Sequence, residues 1–173
     1  MARAMLAATL AAVLATGCGM FGGEEGRIVR MLEAAAEDAS VESEESPVVR
    51  MAGAARLGRY FTEDFAVGAE VSPGTIRGRD GVVAVAAQAR AAVAGLRVRV
   101  TDVDVTLSSP DTATAYLTLT VSGREPAPGG VGAPSPQAPS GMLDARELLV
   151  TLRHVDGDWL IARVDPLSTL ERP

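Results

Sequence analysis

Apolar and polar positions alternate along this chain in two periods, and the change from one to the other divides it. Ile28, Leu32 and Ala35 or Ala36 recur at helical spacing from about Arg27, and the acidic stretch from Glu37 to Glu45 ends that segment as a solvated break. Ser46 followed by Pro47 marks a second helix start, because the serine oxygen caps free amides and proline fits the first helical turn. Val48, Met51, Ala52, Ala55 and Leu57 form its expected apolar stripe, and it ends near Tyr60 or Phe61. A loop carrying Thr62, Glu63, Asp64 and Phe65 follows, then a short strand from Val67 to Val71 and a turn at Ser72, Pro73 and Gly74. A third helix is expected to open near Asp80, whose carboxylate would cap it, with Val82, Val85, Ala86, Ala89 and Val93 as its stripe up to Gly95.

From Leu96 the period becomes two. Val98 and Val100 hold one phase, while Val103, Val105 and Leu107 hold the other, and the slip at Thr101 and Asp102 predicts a β-bulge. A strand from Thr112 to Val121 puts Ala113, Ala115, Leu117, Leu119 and Val121 on one face, with Tyr116 and a row of threonines on the other. The Pro/Gly/Ala/Ser-rich stretch 123–141 reads as a disordered inserted loop. Two further strands, about Ala145 to His154 and Asp158 to Val164, are joined by the hairpin signal Asp156-Gly157. Helices first and strands last specify an α+β domain with N-terminal helices packed on a curved antiparallel sheet.

The N-terminus has another pattern. Residues 1–17 carry Arg3 and then an apolar run from Ala4 to Ala15, the build of a signal peptide and shorter than a membrane span requires. Leu14-Ala15-Thr16-Gly17-Cys18 resembles the bacterial lipobox, although Ala15 stands where leucine is usual. Cys18 is the single cysteine, so lipidation explains what an internal disulfide cannot. The expected organisation is a signal peptide over 1–17, a lipidated N-terminus and tether over 18–26, and one domain over 27–173. The expected address is the bacterial cell envelope. Gly19 after the cysteine favours the periplasmic face of the outer membrane in a cell that has one.

Composition narrows the chemistry. The net charge is −6, all 16 positive side chains are arginine, and no basic cluster occurs, which argues against nucleic-acid partners. Without lysine there is neither a Schiff base nor a P-loop, and no cofactor is expected. A metal site is not expected either, since one histidine would leave zinc dependent on carboxylates.

Three stretches carry a family likeness: Tyr60 to Phe65, Ile76-Arg77-Gly78-Arg79-Asp80-Gly81-Val82, and Leu152 to Ile161. With the element order, they resemble the nuclear transport factor 2-like superfamily, a cone-shaped fold that includes ketosteroid isomerases, scytalone dehydratase and SnoaL-like cyclases. The resemblance implies a pocket inside the cone and, in many members, dimerisation through the sheet. It also implies a base after the helical region, where this chain has Ala69, with Asp64 and Glu70 nearby. Tyr60 is the candidate phenolic donor and His154 the candidate imidazole. Phe61, Phe65, Tyr116 and Trp159 are candidate pocket or interface aromatics, Trp159 being expected in the sheet core. The leading expectation is a non-catalytic module that binds a small apolar ligand or a protein, possibly a second copy. The alternatives are a pocket isomerase, dehydratase or hydrolase using a loop carboxylate, and an adaptor in envelope assembly or secretion.

Overall fold

A computed structural model of the chain describes residues 23–41, 46–68, 76–124 and 141–167. Cys18, Ala69, Glu70 and most of the stretch 123–141 lie outside the described residues. The elements run α1 (Glu24–Ala39), α2 (Pro47–Gly58), β1 (Phe61–Val67), α3 (Gly78–Ala92), β2 (Ala94–Ser109), β3 (Thr112–Arg124), β4 (Gly141–Val155) and β5 (Asp158–Pro166). The strands form one sheet in the order β1-β5-β4-β3-β2. Each neighbouring pair is antiparallel except β1 and β5, which run parallel, so the sheet is mixed.

Local chemistry places most of the breaks. The amide of Val49 donates to Ser46 Oγ at 3.4 Å, so the Ser-Pro start works as expected. Asp102 has φ 52° where the β2–β3 register slips between Thr101 and Asp104, a left-handed residue at the predicted bulge. Asp156 and Gly157 both take positive φ, 51° and 94°, as a two-residue hairpin turn with primed geometry requires. Gly123 pairs with Gly141, so β3 and β4 continue into the two ends of the proline-rich stretch.

Several expectations are corrected. α1 opens at Glu24, not Arg27, with Glu24 and Glu25 placing negative charge against the amide end of its first turn. It also runs on through Glu37 and Asp38, which the acidic composition had suggested were a solvated break. Thr62 to Phe65 are strand rather than loop, because Phe61, Ala66 and Val67 pair with β5 about a hundred residues later, a contact that local pattern does not reveal. Val67, expected to open a strand, closes this one, and residues 69–75 lie outside the described residues. α3 begins at Gly78 with no side-chain cap, and Asp80 lies in its first turn. On α3, Val82 is buried, Val85 is 37% exposed and Arg90 is buried.

On α2 four of the five residues of the expected stripe face outward, and Leu57 alone is buried. Val48 and Met51 are 78% and 60% exposed, and Ala52 and Ala55 are exposed as well. The buried face consists of Gly53, Ala54, Leu57 and Gly58. The reason is size: a Cβ on Gly53 would meet Arg90 Nη2 at 2.1 Å, and one on Gly58 would meet Val83 Cγ2 at 2.7 Å. Only glycine lets α2 approach α3 so closely.

The core lies between helices and sheet. Ile28 and Leu32 of α1 meet Ala113, Ala115 and Leu117 of β3, Val150 and Leu152 of β4, and Trp159 and Ile161 of β5. Ile28 and Leu152 are fully buried, each position worth roughly 1.5–3 kcal/mol in removal of apolar surface from water.

Candidate functional site

Two depressions accompany this core. The larger is a trough of about 940 Å³ where α1 passes the free edge of β2. Its helical wall includes Glu33, Ala36 and Glu37, and its strand wall includes Leu96, Arg97, Val98, Arg99 and Val100. The walls are joined at one end, where Val41 N–H donates to Leu96 O at 2.6 Å and Val98 N–H donates to Ser40 Oγ at 3.0 Å.

At the same trough, whose lining also includes Asp38, Arg56 and Arg90, Asp38 gathers cations. Its Oδ2 accepts from Tyr60 Oη at 2.9 Å and from Arg59 Nη2 at 3.1 Å, and its Oδ1 accepts from Arg56 Nε at 3.4 Å. Arg90, 2% exposed, donates from Nη1 to the Asp38 carbonyl at 2.6 Å. The Arg59 guanidinium also lies 5.0 Å above the Tyr60 ring. Tyr60 therefore serves the packing of α1 against α2, with its hydroxyl engaged by a carboxylate and a guanidinium.

Asp64 points away from this network. Its carboxylate is 69% exposed and pairs with Arg153 across the sheet. The Thr62 hydroxyl beside it, placed without a well-formed hydrogen bond, and then the charge of Arg153 hold its pKa below the ordinary aspartate value. A general base in a dry pocket needs the opposite shift. His154 stacks on Trp159 with ring centres 5.0 Å apart, and its Nδ1 lies 3.8 Å from Asp111 Oδ1 at the far end of the sheet.

The aromatics are mostly structural. Trp159 is 4% exposed, in the sheet core as expected, and its indole N–H donates to Glu24 Oε2 at 2.7 Å. Phe61 and Phe65 meet edge to face at 4.9 Å. Tyr116 stands on the outer sheet face, 36% exposed, among Thr112, Thr114, Thr118 and Thr120. The smaller depression, about 310 Å³, lies between Arg27, Met31, Arg59, Tyr60 and Trp159. The structure thus brings Tyr60 and Trp159 together and separates them from Asp64. Asp38, Arg56 and Arg90 were not evident as a group, because 18 to 52 residues separate Asp38 from these partners.

Among the described residues no group of three or more His, Cys, Asp or Glu side chains is arranged to hold a metal ion. No helix among them is long and apolar enough to cross a membrane.

Three helices on a curved five-stranded mixed sheet define the cone-shaped class anticipated above. The family model of the SnoaL-like domain matches residues 52–165, and the chain belongs to that family. Its fold is similar to that of a candidate scytalone dehydratase from Novosphingobium aromaticivorans, at 19% identity over 83% of each chain with a TM-score of 0.61. A nuclear transport factor 2-like protein with a cystatin-like fold, also from Novosphingobium aromaticivorans, is 18% identical over 83% of each chain with a TM-score of 0.54. A candidate calcium/calmodulin-dependent protein kinase II association domain from Xanthomonas campestris is 12% identical over 87% of this chain and 91% of its own, with a TM-score of 0.58. No protein of curated function matches the chain.

Proposed function

We propose that the chain is a bacterial envelope lipoprotein, anchored through Cys18, whose SnoaL-like domain binds a small apolar ligand rather than transforming it. One observation carries the binding part. From β2 to β5 a row of apolar side chains packs into the core: Val100, Leu117 and Leu119, Val150 and Leu152, then Trp159 and Ile161. Val98 and Val100 continue this surface into the 940 Å³ trough, which is within the size range of small-molecule sites. The acid–base candidates point elsewhere: Asp64 is ion-paired on the exposed side and the Tyr60 hydroxyl is held by Asp38. Such a surface favours burial of an apolar body, and the charged side chains that also line the trough, among them Glu33, Glu37, Arg97 and Arg99, are available to a polar end of the ligand.

The lipobox-like Leu14 to Cys18 supports the anchor, and Gly19 supports delivery to the periplasmic face of an outer membrane. Intact mass spectrometry of protein extracted from membranes tests both parts. A diacyl or triacyl mass beginning at Cys18, absent from Cys18→Ala, is expected. Native spectra of the same sample are expected to carry one small apolar adduct per chain, lost when Val98→Asp puts a carboxylate into the apolar part of the strand wall. An unmodified mature chain would overturn the anchor. Turnover of a candidate substrate that disappears in Asp64→Asn would overturn the non-catalytic reading.

A further inference from the structure

The outer face of α2 is apolar without being buried. Val48, Met51, Ala52 and Ala55 recur at the i, i+3, i+4, i+7 spacing that normally marks a core-facing stripe, and they face solvent. At 3.6 residues per turn, Met51, Ala55, Val48, Ala52, Arg56 and Val49 share one arc of about 160°. That arc contains no acidic side chain; its one charge within the helix is Arg56, and the C-cap Arg59 continues the same face. Isolated exposed apolar residues are ordinary; here the exposed apolar residues are grouped at helical spacing on one face of α2.

The size of the patch argues for what covers it. A helix of 12 residues is about 18 Å long, so one face presents roughly 200 Å², several-fold less than the ~800 Å² per partner of a stable protein interface. A bilayer sets no such minimum for a domain that is already attached to it, since the attachment keeps the local concentration high. From Cys18 to Glu24 the chain reaches about 20 Å at most, which keeps the domain against the lipid surface. Arg56, 51% exposed and paired with Asp38, sits at the edge of this arc, so its charge is already partnered within the domain. The arc is mainly apolar, so apolar insertion rather than attraction to anionic lipid carries the contact.

We propose that α2 lies in the bilayer interface with Val48, Met51, Ala52 and Ala55 turned into it, fixing the orientation of the domain on its membrane. This rests on the anchor reading, and the experiment separates the two. Full-length lipidated protein is given a nitroxide label at Met51→Cys or at Tyr116→Cys, which faces away on the outer sheet, and is reconstituted into phosphatidylethanolamine/phosphatidylglycerol vesicles. Mass spectrometry establishes that Cys18 is acylated and carries no label. The ratio of oxygen to aqueous nickel-complex collisions should be several-fold higher at Met51 than at Tyr116, and should change little with phosphatidylglycerol content. Equal ratios in acylated protein would overturn the α2 contact while leaving the anchor intact. Close dipolar coupling between Met51 labels would also overturn it, in favour of a second copy. If Cys18 is unmodified, the anchor fails, and the Cys18→Ala chain mixed with vesicles decides α2 alone: entry of the Met51 label sustains the contact, and an aqueous label overturns it.

Discussion

α1 and α2 both read from sequence as amphipathic helices, and their apolar residues end up in opposite places. On α1, Ile28 and Leu32 go to the centre of the core, at 0% and 3% exposure. On α2, Val48 and Met51 stay outside, and the inward face is Gly53, Ala54, Leu57 and Gly58. α1 spans a wide concave sheet and has room for large side chains. α2 lies against α3, where the Arg90 guanidinium occupies the space that a side chain at Gly53 would need. Hydrophobic periodicity locates a buried face only where contact distance allows large residues, and at a close helix crossing the smallest residues take that role.

The largest test of this contrast is Ile28→Ala, which should destabilise the fold by about 3 kcal/mol in urea denaturation, because it opens a cavity in a fully buried site. Gly53→Ala should cost about 1–3 kcal/mol in the same assay, as the new methyl displaces the Arg90 guanidinium from the Asp38 carbonyl. Met51→Ser or Val48→Ser should change stability by less than about 0.5 kcal/mol, despite removing larger apolar groups than Gly53→Ala adds. A cost near that of Ile28→Ala would place the α2 stripe in a core and break the comparison.

The smallest effect is a pH dependence at the start of α1. The Trp159 indole N–H, and after it Arg27, hold the Glu24 pKa below the ordinary glutamate value of about 4.3. Because the folded pKa is the lower, the contribution is present above the unfolded value and is lost as pH falls through the folded one. Trp159 is the single tryptophan, so its emission should report an acid transition that Glu24→Gln weakens.

The sequence showed the strands better than their partners. Alternation from Leu96 onward, the slip at Asp102 and the Asp156-Gly157 turn are local signals, and each appears in the fold. β1 was missed because its residues 61–67 owe their extended state to β5, at the other end of the chain. Of the candidate site residues, Trp159 was placed correctly as a core aromatic, whereas Asp64 and Tyr60, neighbours in sequence, face different surroundings. Tyr60 stands before β1 and Asp64 within it, where the register with β5 is irregular, and their distant partners Asp38 and Arg153 set their chemistry. Asp38 itself was hidden by composition: within a run of acids, the one that binds three cations looks like the rest.

The parallel pairing of β1 with β5 also bears on timing. Phe61 finds its partner at Ile161, so the sheet cannot close until nearly the whole domain is available, and the loop entropy for that contact is spent late. Long-range pairing of this kind slows folding. For a chain that threads through a membrane before it folds, as the proposed export route requires, slow closure keeps the polypeptide in a translocatable state.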